Sequence, residues 1–170
     1  TYIHHIIANY DNLSDITVFI PATMSAHYKL NKALTLLKAL TDTEFSYAFF
    51  LGQYSPNVRN MFYNYQQAQW IPTTQENREK SDYMLVPSPI RPYGKWYDHH
   101  FPNKVVEWWS YNNTFSIDKR DILQHPKSYY EKFLEGLSVA NDVEEAHFVE
   151  RSWCAIFGPF KYTQIYPYKM

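Results

Sequence analysis

Two adjacent carboxylates, Glu144 and Glu145, stand at the start of a predicted helix near the end of the chain. The partial positive charge of a helix N-terminus stabilises ionised carboxylates, so both side chains are expected to be charged and able to accept a proton. A carboxylate in that state is the kind of general base that activates a hydroxyl group. Acidic residues are also favoured in first turns for stability alone, so a purely structural pair is the alternative.

The stretch EEAHFVERSWCAIFG predicts a single helix over residues 142–157. Asp142 can serve as its N-cap with Glu145 as the capping-box partner, and Gly158 can end it. At about 100° per residue, one face of this helix is apolar. That face consists of Ala146, Val149, Trp153, Ile156 and Phe157.

Glu150 falls within the same apolar arc, and we therefore expect it to be largely buried. An unpaired buried carboxylate costs several kcal/mol, so Glu150 needs a partner. The candidates are His147, an Arg or Tyr from another element, a metal ion or a substrate hydroxyl. Arg151 points about 100° away, which favours His147 or a residue from another element. A structural network and a place at the border of a site are both open.

A third group of polar residues lies in the stretch GKWYDHHFP, beside a proline-rich segment predicted as a loop. Asp98 with His99 or His100 has the chemistry to bind a divalent ion. The same side chains can instead line a pocket beside Trp96, or hydrogen bond locally. The spacing does not decide between these.

Several common chemistries are excluded by what the sequence lacks. The four glycines are not clustered, so no Gly-rich phosphate loop is present, and neither Gly-x-Ser-x-Gly nor His-Glu-x-x-His occurs. The one cysteine, Cys154, excludes an internal disulfide and a thiolate metal cluster. It falls at the apolar edge of the predicted helix, where a packed thiol is expected rather than a nucleophile.

The composition indicates one globular domain over residues 1–170, with 45% hydrophobic and 19% charged residues. A net charge of −1 argues against a nucleic-acid partner, because no basic surface is available to neutralise phosphates. Aromatic residues reach 19%, which suits sugar rings, protein interfaces or simply an aromatic core. No apolar run is long enough to cross a bilayer and no signal-peptide pattern opens the chain, which starts inside an apparent helix.

Helices are also predicted over residues 1–11, 25–40 and 125–137, and strands over 16–20 and on both sides of a turn at 112–113. This alternation indicates the α/β class. The apolar strand between two amphipathic helices needs cover on both faces, so residues 16–20 are expected to be a central strand.

Two further stretches carry specific expectations. Ser25 is the expected cap of the second helix. Its core stripe is predicted to be Leu30, Ala33, Leu34, Leu37 and Leu40. The polar residues 52–82 show no period and are expected to form an irregular surface excursion.

Four stretches of the sequence resemble a family of poorly characterised glycosyltransferase-like domains found in fungi, algae and large viruses. They are TYIHHIIANYDNLSDITVFIPA, RPYGKWYDHHF, NNTFSIDKRDILQHPKSYYEKFLEGL and HFVERSWCAIFG. The resemblance implies a GT-A-like layout: a mixed and mostly parallel sheet flanked by helices, without the first strand of that layout. It also favours the cytoplasm or a virus-infected cell over the secretory lumen.

The resemblance implies that a sugar moves from a nucleotide-sugar donor to a glycan or protein acceptor. The catalytic base would be Glu144 or Glu145, with Glu150 in the same pocket. Substrate-binding roles would fall on His27, Arg91, Trp96, Tyr97 and Arg151, and a Mn or Mg ion would be held by Asp98, His99 and His100.

The chain departs from the GT-A pattern in having no Asp-x-Asp motif, which normally holds the metal and the nucleotide diphosphate. Asp42-Thr43-Glu44 has the nearest spacing but follows a helix end. A non-catalytic subunit that keeps the fold and uses a Tyr/Trp-rich surface for assembly is therefore the main alternative. A metal hydrolase using Asp98, His99 and His100 is a third.

Overall fold

The computed structural model describes residues 1–22, 24, 26–42, 47–67, 85–140 and 142–168, and these form a mixed α/β fold that confirms the predicted class. Its helices are α1 (Tyr2–Ala8), α2 (His27–Thr41), α3 (Val58–Met61), α4 (Tyr93–His100), α5 (Lys119–Leu123), α6 (Lys127–Leu137), α7 (Glu144–Arg151) and α8 (Trp153–Phe157). Its strands are β1 (Ile16–Phe19), β2 (Ala48–Tyr54), β3 (Trp108–Trp109), β4 (Phe115–Asp118) and β5 (Thr163–Pro167).

The strands form two small sheets, not one large one. β1 pairs with β4 in antiparallel register, and β2 lies between antiparallel β3 and parallel β5. A mostly parallel sheet is therefore not seen in the described ranges, and β1 is not a central strand there. Along β1 the side chains alternate, with Phe19 buried and Val18 39% exposed. A strand with one covered and one exposed face is typical of antiparallel pairing. The apolar run in the sequence did not indicate that one face of β1 would be exposed.

Side chains join the two sheets where backbone pairing stops. The Ser116 hydroxyl in β4 accepts a hydrogen bond from Phe49 N at 2.7 Å in β2. Asp118 N at the end of β4 donates to the Thr163 hydroxyl at 3.0 Å in β5. All four residues of β4 are buried, so this strand forms the middle of the fold.

The core is built mainly from aromatic side chains of many elements. Trp96 and Tyr97 of α4 are 0% and 1% exposed. The Trp96 ring lies 5.7 Å from Phe148 and 6.4 Å from Phe133, a spacing typical of packed aromatic pairs. Cys154 is a buried free thiol, as predicted, and burial raises its pKa to about 12.

Helix α2 is rotated relative to the predicted apolar stripe. Ala33 and Leu36 are buried, whereas Leu30, Leu34 and Leu37 are 39%, 54% and 45% exposed. Lys32 takes an inward position instead: it is only 3% exposed, and its Nζ donates to the Ser110 hydroxyl at 3.0 Å. Ser25, the predicted cap, lies outside the described residues, and α2 has no side-chain cap at Ala26.

The helix predicted over residues 142–157 is two helices, broken at Ser152. The Ser152 hydroxyl donates to Phe148 O at 2.9 Å and also contacts the Tyr93 hydroxyl at 3.0 Å. Such back-bonding competes with the helical ladder. Asp142 does not cap α7, because Val143 is extended and forms an isolated parallel bridge with Val86.

The stretch around Asp98 is helical, not a loop. Pro92 precedes the first residue of α4, a position that suits its fixed φ. Within the predicted excursion, β2 extends to Tyr54 and α3 follows, while residues 68–84 lie outside the described residues. None of the described helices has the length and apolar character needed to cross a membrane.

Candidate functional site around Glu150

Glu150 lies near the end of α7 with a side chain that is 18% exposed, which confirms that it is largely buried. Its partners come mostly from other elements. The backbone of Asn112 hydrogen bonds to its carboxylate, and the charges of Lys29 and Lys32 on α2 act on it. Arg151 Nη1 is 3.9 Å from Glu150 Oε2, closer than the helical angle alone indicated.

Lys32 is the most buried cation near this carboxylate. Its Nζ donates to the Ser110 hydroxyl at 3.0 Å and also to the carbonyl oxygen of Tyr111. Burial lowers the pKa of Lys32 to about 8, and the charge of Glu150 opposes that change. The ammonium group is therefore held between α2 and the segment that precedes β4.

The backbone turn over Tyr111–Asn113 presents the groups that meet Glu150. Asn112 and Asn113 have positive φ angles of 63° and 52°, a conformation that asparagine tolerates better than most residues. Trp153 Nε1 donates to Asn113 Oδ1 at 2.6 Å, and the Tyr2 hydroxyl donates to Asn113 O at 3.0 Å. Contacts from α1 and α8 thus fix the turn.

Arg151 is held among aromatic rings beside the same cluster. Its guanidinium carbon is 3.7 Å from the centre of the Tyr65 ring and 5.3 Å from that of Phe62. Nη1 donates to His147 O at 2.7 Å, whereas the buried Nε has no hydrogen-bond partner. The guanidinium is fixed by stacking and keeps a donor unused.

The electrostatic balance leaves Glu150 more basic than an exposed glutamate. Burial raises the pKa of Glu150, while Arg151, the Asn112 backbone, Lys29 and Lys32 oppose the rise. A cavity of about 380 Å³ adjoins the cluster and is lined in part by Tyr2, Asn113, Val149 and Trp153. Val149, which precedes Glu150 on α7, lines this cavity, as does Asn113, which follows the residue whose backbone hydrogen bonds to Glu150.

Glu144 is not part of this cluster and is fully buried. Its Oε1 accepts hydrogen bonds from Gln67 N at 2.9 Å and Arg91 Nη2 at 3.1 Å, and its Oε2 accepts from Ser88 N at 2.9 Å. Three donors hold this carboxylate, so its position suits a structural anchor better than the predicted base. Arg91 likewise contacts Glu144 and lines neither the cavity beside Glu150 nor the one beside Glu145.

Glu145 faces a second cavity, of about 460 Å³, together with His99 and His100. The sequence had suggested Glu145 as a catalytic base and His99 and His100 as metal ligands. Asp98 points elsewhere, in an ion pair with Arg59. No group of three or more His, Cys, Asp or Glu residues with metal-binding geometry occurs in the described ranges, so the predicted ligand set does not fit a metal ion.

The remaining predicted substrate-binding residues fall outside both cavities. Trp96 and Tyr97 are core residues, because the helical phase of α4 turns them inward. His27 is exposed at the first residue of α2. Only Arg151 among the predicted binding residues contacts Glu150. Sequence reasoning missed Lys32, and the Asn112–Asn113 pair was the one available signal for the turn.

His100 gives the protein an expected acid sensitivity. Its ring lies 4.4 Å from the Trp96 ring, and burial lowers its pKa to about 4, with His99 and Lys132 adding repulsion. The unfolded chain takes up this proton near pH 6.5, so stability is complete above that pH and declines as the pH falls toward 4. Urea unfolding at pH 7 and pH 5 should show this decline, and His100→Gln should reduce it. An equal decline in the variant would contradict the assignment.

Comparison with known proteins gives one match. A sequence-family model described as "Protein of unknown function (DUF3431)" matches residues 1–166. No curated protein and no solved structure matches the chain.

Proposed function

We propose that this chain, which belongs to the DUF3431 family, transfers a sugar from a nucleotide-sugar donor to an acceptor hydroxyl. In this proposal the two small sheets belong to a reduced GT-A-like layout. Glu150 is the general base, in place of Glu144 or Glu145. The single observation that carries the proposal is a largely buried carboxylate of raised pKa among three cations, beside a cavity.

The proposed chemistry needs a carboxylate that takes a proton from the attacking hydroxyl. A base is most effective when its pKa lies near the working pH, and burial moves Glu150 in that direction. The Asn112 backbone hydrogen bond fixes its orientation, which limits the reorganisation needed during reaction. Glu150 thus combines basicity with a fixed direction.

Sugar transfer also releases a nucleoside diphosphate, whose negative charge must be balanced. Lys29, Lys32 and Arg151 supply positive charge next to Glu150. Arg151 additionally has an unused buried N–H. Guanidinium and ammonium groups are the usual protein partners of phosphate oxygens. In this proposal these cations bind the diphosphate, a role that a metal ion held by the Asp-x-Asp motif has in the GT-A pattern.

Titration calorimetry with UDP and GDP, with and without Mn²⁺, tests the donor half of this proposal. We expect binding in the micromolar to millimolar range, about −4 to −8 kcal/mol. Lys29→Met should weaken binding by about tenfold through loss of one charge contact. Lys38→Met is the matched control, because Lys38 is exposed on the same helix. Absence of heat with every nucleotide, or equal effects of both variants, would contradict the proposal.

The second candidate function is a non-catalytic subunit of a larger assembly. It is favoured by the apolar side chains Leu30, Leu34 and Leu37, which α2 exposes along one face. Contiguous exposed apolar surface is typical of protein interfaces. This function would be favoured if the wild-type protein binds no nucleotide but co-purifies with a partner. Leu34→Asp should then disrupt the complex.

A further inference from the structure

The second cavity has an apolar wall and a polar rim. It lies between the segment Val86–Ile90, the end of α4 and helix α6. Pro87, Pro89 and Val139 contribute to the wall. Its volume of about 460 Å³ falls within the range of small-molecule sites. It is distinct from the cavity beside Glu150, and among the described lining residues the two share only Val143.

The carboxylate of Glu145 is held in place on the rim of this cavity. The Ser88 hydroxyl lies 2.9 Å from its Oε1 and can donate its proton there or to Ile90 O, which is equally close. On the other side, a Cβ at Gly136 would overlap the carboxylate. Gly136 has no positive φ that would require glycine, and glycine within a helix costs about 1 kcal/mol relative to alanine. Glycine at 136 thus lets the Glu145 carboxylate lie directly against α6.

The charges at the cavity select the ligand class. The cavity is lined by two carboxylates, Glu135 and Glu145, and by one ammonium group, that of Lys132. Burial lowers the pKa of His100 to about 4, so its ring is neutral at pH 7. The excess negative charge disfavours phosphates and other anions. Carboxylates accept hydrogen bonds from hydroxyl groups, and a neutral imidazole both donates and accepts.

We infer that this cavity binds a neutral saccharide ring. Ring hydroxyls would hydrogen bond to Glu145, Glu135 and the histidines, while the C–H face of the ring would pack on the prolines and Val139. The inference goes beyond the proposed function, because binding here requires neither Glu150 nor transfer chemistry. It assigns Glu145 a binding role in place of the catalytic one.

Saturation-transfer NMR with methyl glycosides of glucose, galactose, xylose and N-acetylglucosamine tests the inference, with spermidine and UDP as competing ligand classes. At least one glycoside should bind. Val139→Trp, a change at the cavity edge, should weaken that binding at least about tenfold, because the larger side chain would fill part of the cavity. Val105→Trp is the matched control, because Val105 and Val139 are 63% and 65% exposed and only Val139 lines the cavity.

The outcomes separate this inference from the proposed function. Glycoside binding that is lost in Val139→Trp and kept in Glu150→Gln supports a saccharide site independent of catalysis. Absence of binding by every glycoside at about 50 mM, well above the weak millimolar range, would overturn it. Glycoside binding that is unchanged in Val139→Trp would also overturn it. The same holds if spermidine or UDP displaces the bound glycoside more readily than other sugars do.

Discussion

Replacing Asp121 with asparagine is expected to lower the free energy of unfolding by about 2 to 4 kcal/mol, because charge-assisted hydrogen bonds to buried backbone N–H groups are lost. Asp121 is fully buried in α5. Its carboxylate accepts backbone hydrogen bonds from Lys161 at 2.9 Å, Tyr162 at 3.2 Å and Thr163 at 2.6 Å. Asparagine keeps one acceptor oxygen, but its NH2 group would face at least one of these backbone N–H donors and leave it without an acceptor.

The same change should loosen β5 before it unfolds the rest of the domain. The three N–H groups lie where the chain enters β5, which pairs with β2 from Ala48↔Thr163 onward. Urea unfolding measures the overall effect, and hydrogen exchange of the β5 amides measures the local one. Asp15→Asn is the control, because that carboxylate is 86% exposed. A loss below about 1 kcal/mol at Asp121 would contradict the structural role.

If the protein transfers sugar as proposed, replacing Glu150 with glutamine is expected to lower that activity at least about a hundredfold, the usual contribution of a general base. Glutamine keeps the shape and the hydrogen bond from Asn112 but cannot take a proton. The melting temperature should change little, because burial already opposes the charged form of Glu150. Rates at saturating donor and acceptor, with thermal melts of the same samples, provide the measurement.

Glu131→Gln is the control for this change, since Glu131 is an exposed glutamate on α6. If Glu150 is only structural, Glu150→Gln should instead cost about 1 to 3 kcal/mol of stability, with activity falling only as the folded fraction falls. The two results are distinguishable in one set of samples.

The sequence predicted the elements well where local signals were strong. α1, α2 and α6 were expected from their 3.6-residue periodicity, and the turn before β4 from its asparagine pair. The failures have long-range causes. Ser152 breaks the last helix through Tyr93, which is distant in sequence. Sheet order depends on pairing between remote strands, which periodicity does not encode.

The candidate site was predictable only in part. The helical phase of Glu150 correctly indicated burial, because that property depends on its own helix. Its partners did not follow from the sequence, since Lys32, which acts on it by charge, and Asn112, which hydrogen bonds to it, lie in elements far along the chain. Lys32 also misled the prediction for α2, because a lysine in an apparently amphipathic helix is normally assigned to the solvent face.

The proposed transfer is tested most directly by mass spectrometry of saccharide acceptors incubated with the protein and a panel of UDP- and GDP-sugars. At least one acceptor should gain the mass of one transferred sugar, with stoichiometric release of the nucleoside diphosphate. Glu150→Gln should abolish this gain, whereas Glu131→Gln should not. A folded wild-type protein that binds nucleotide and yet glycosylates no acceptor, or one whose product formation is the same with Glu150→Gln, would contradict the assignment of Glu150 as the base.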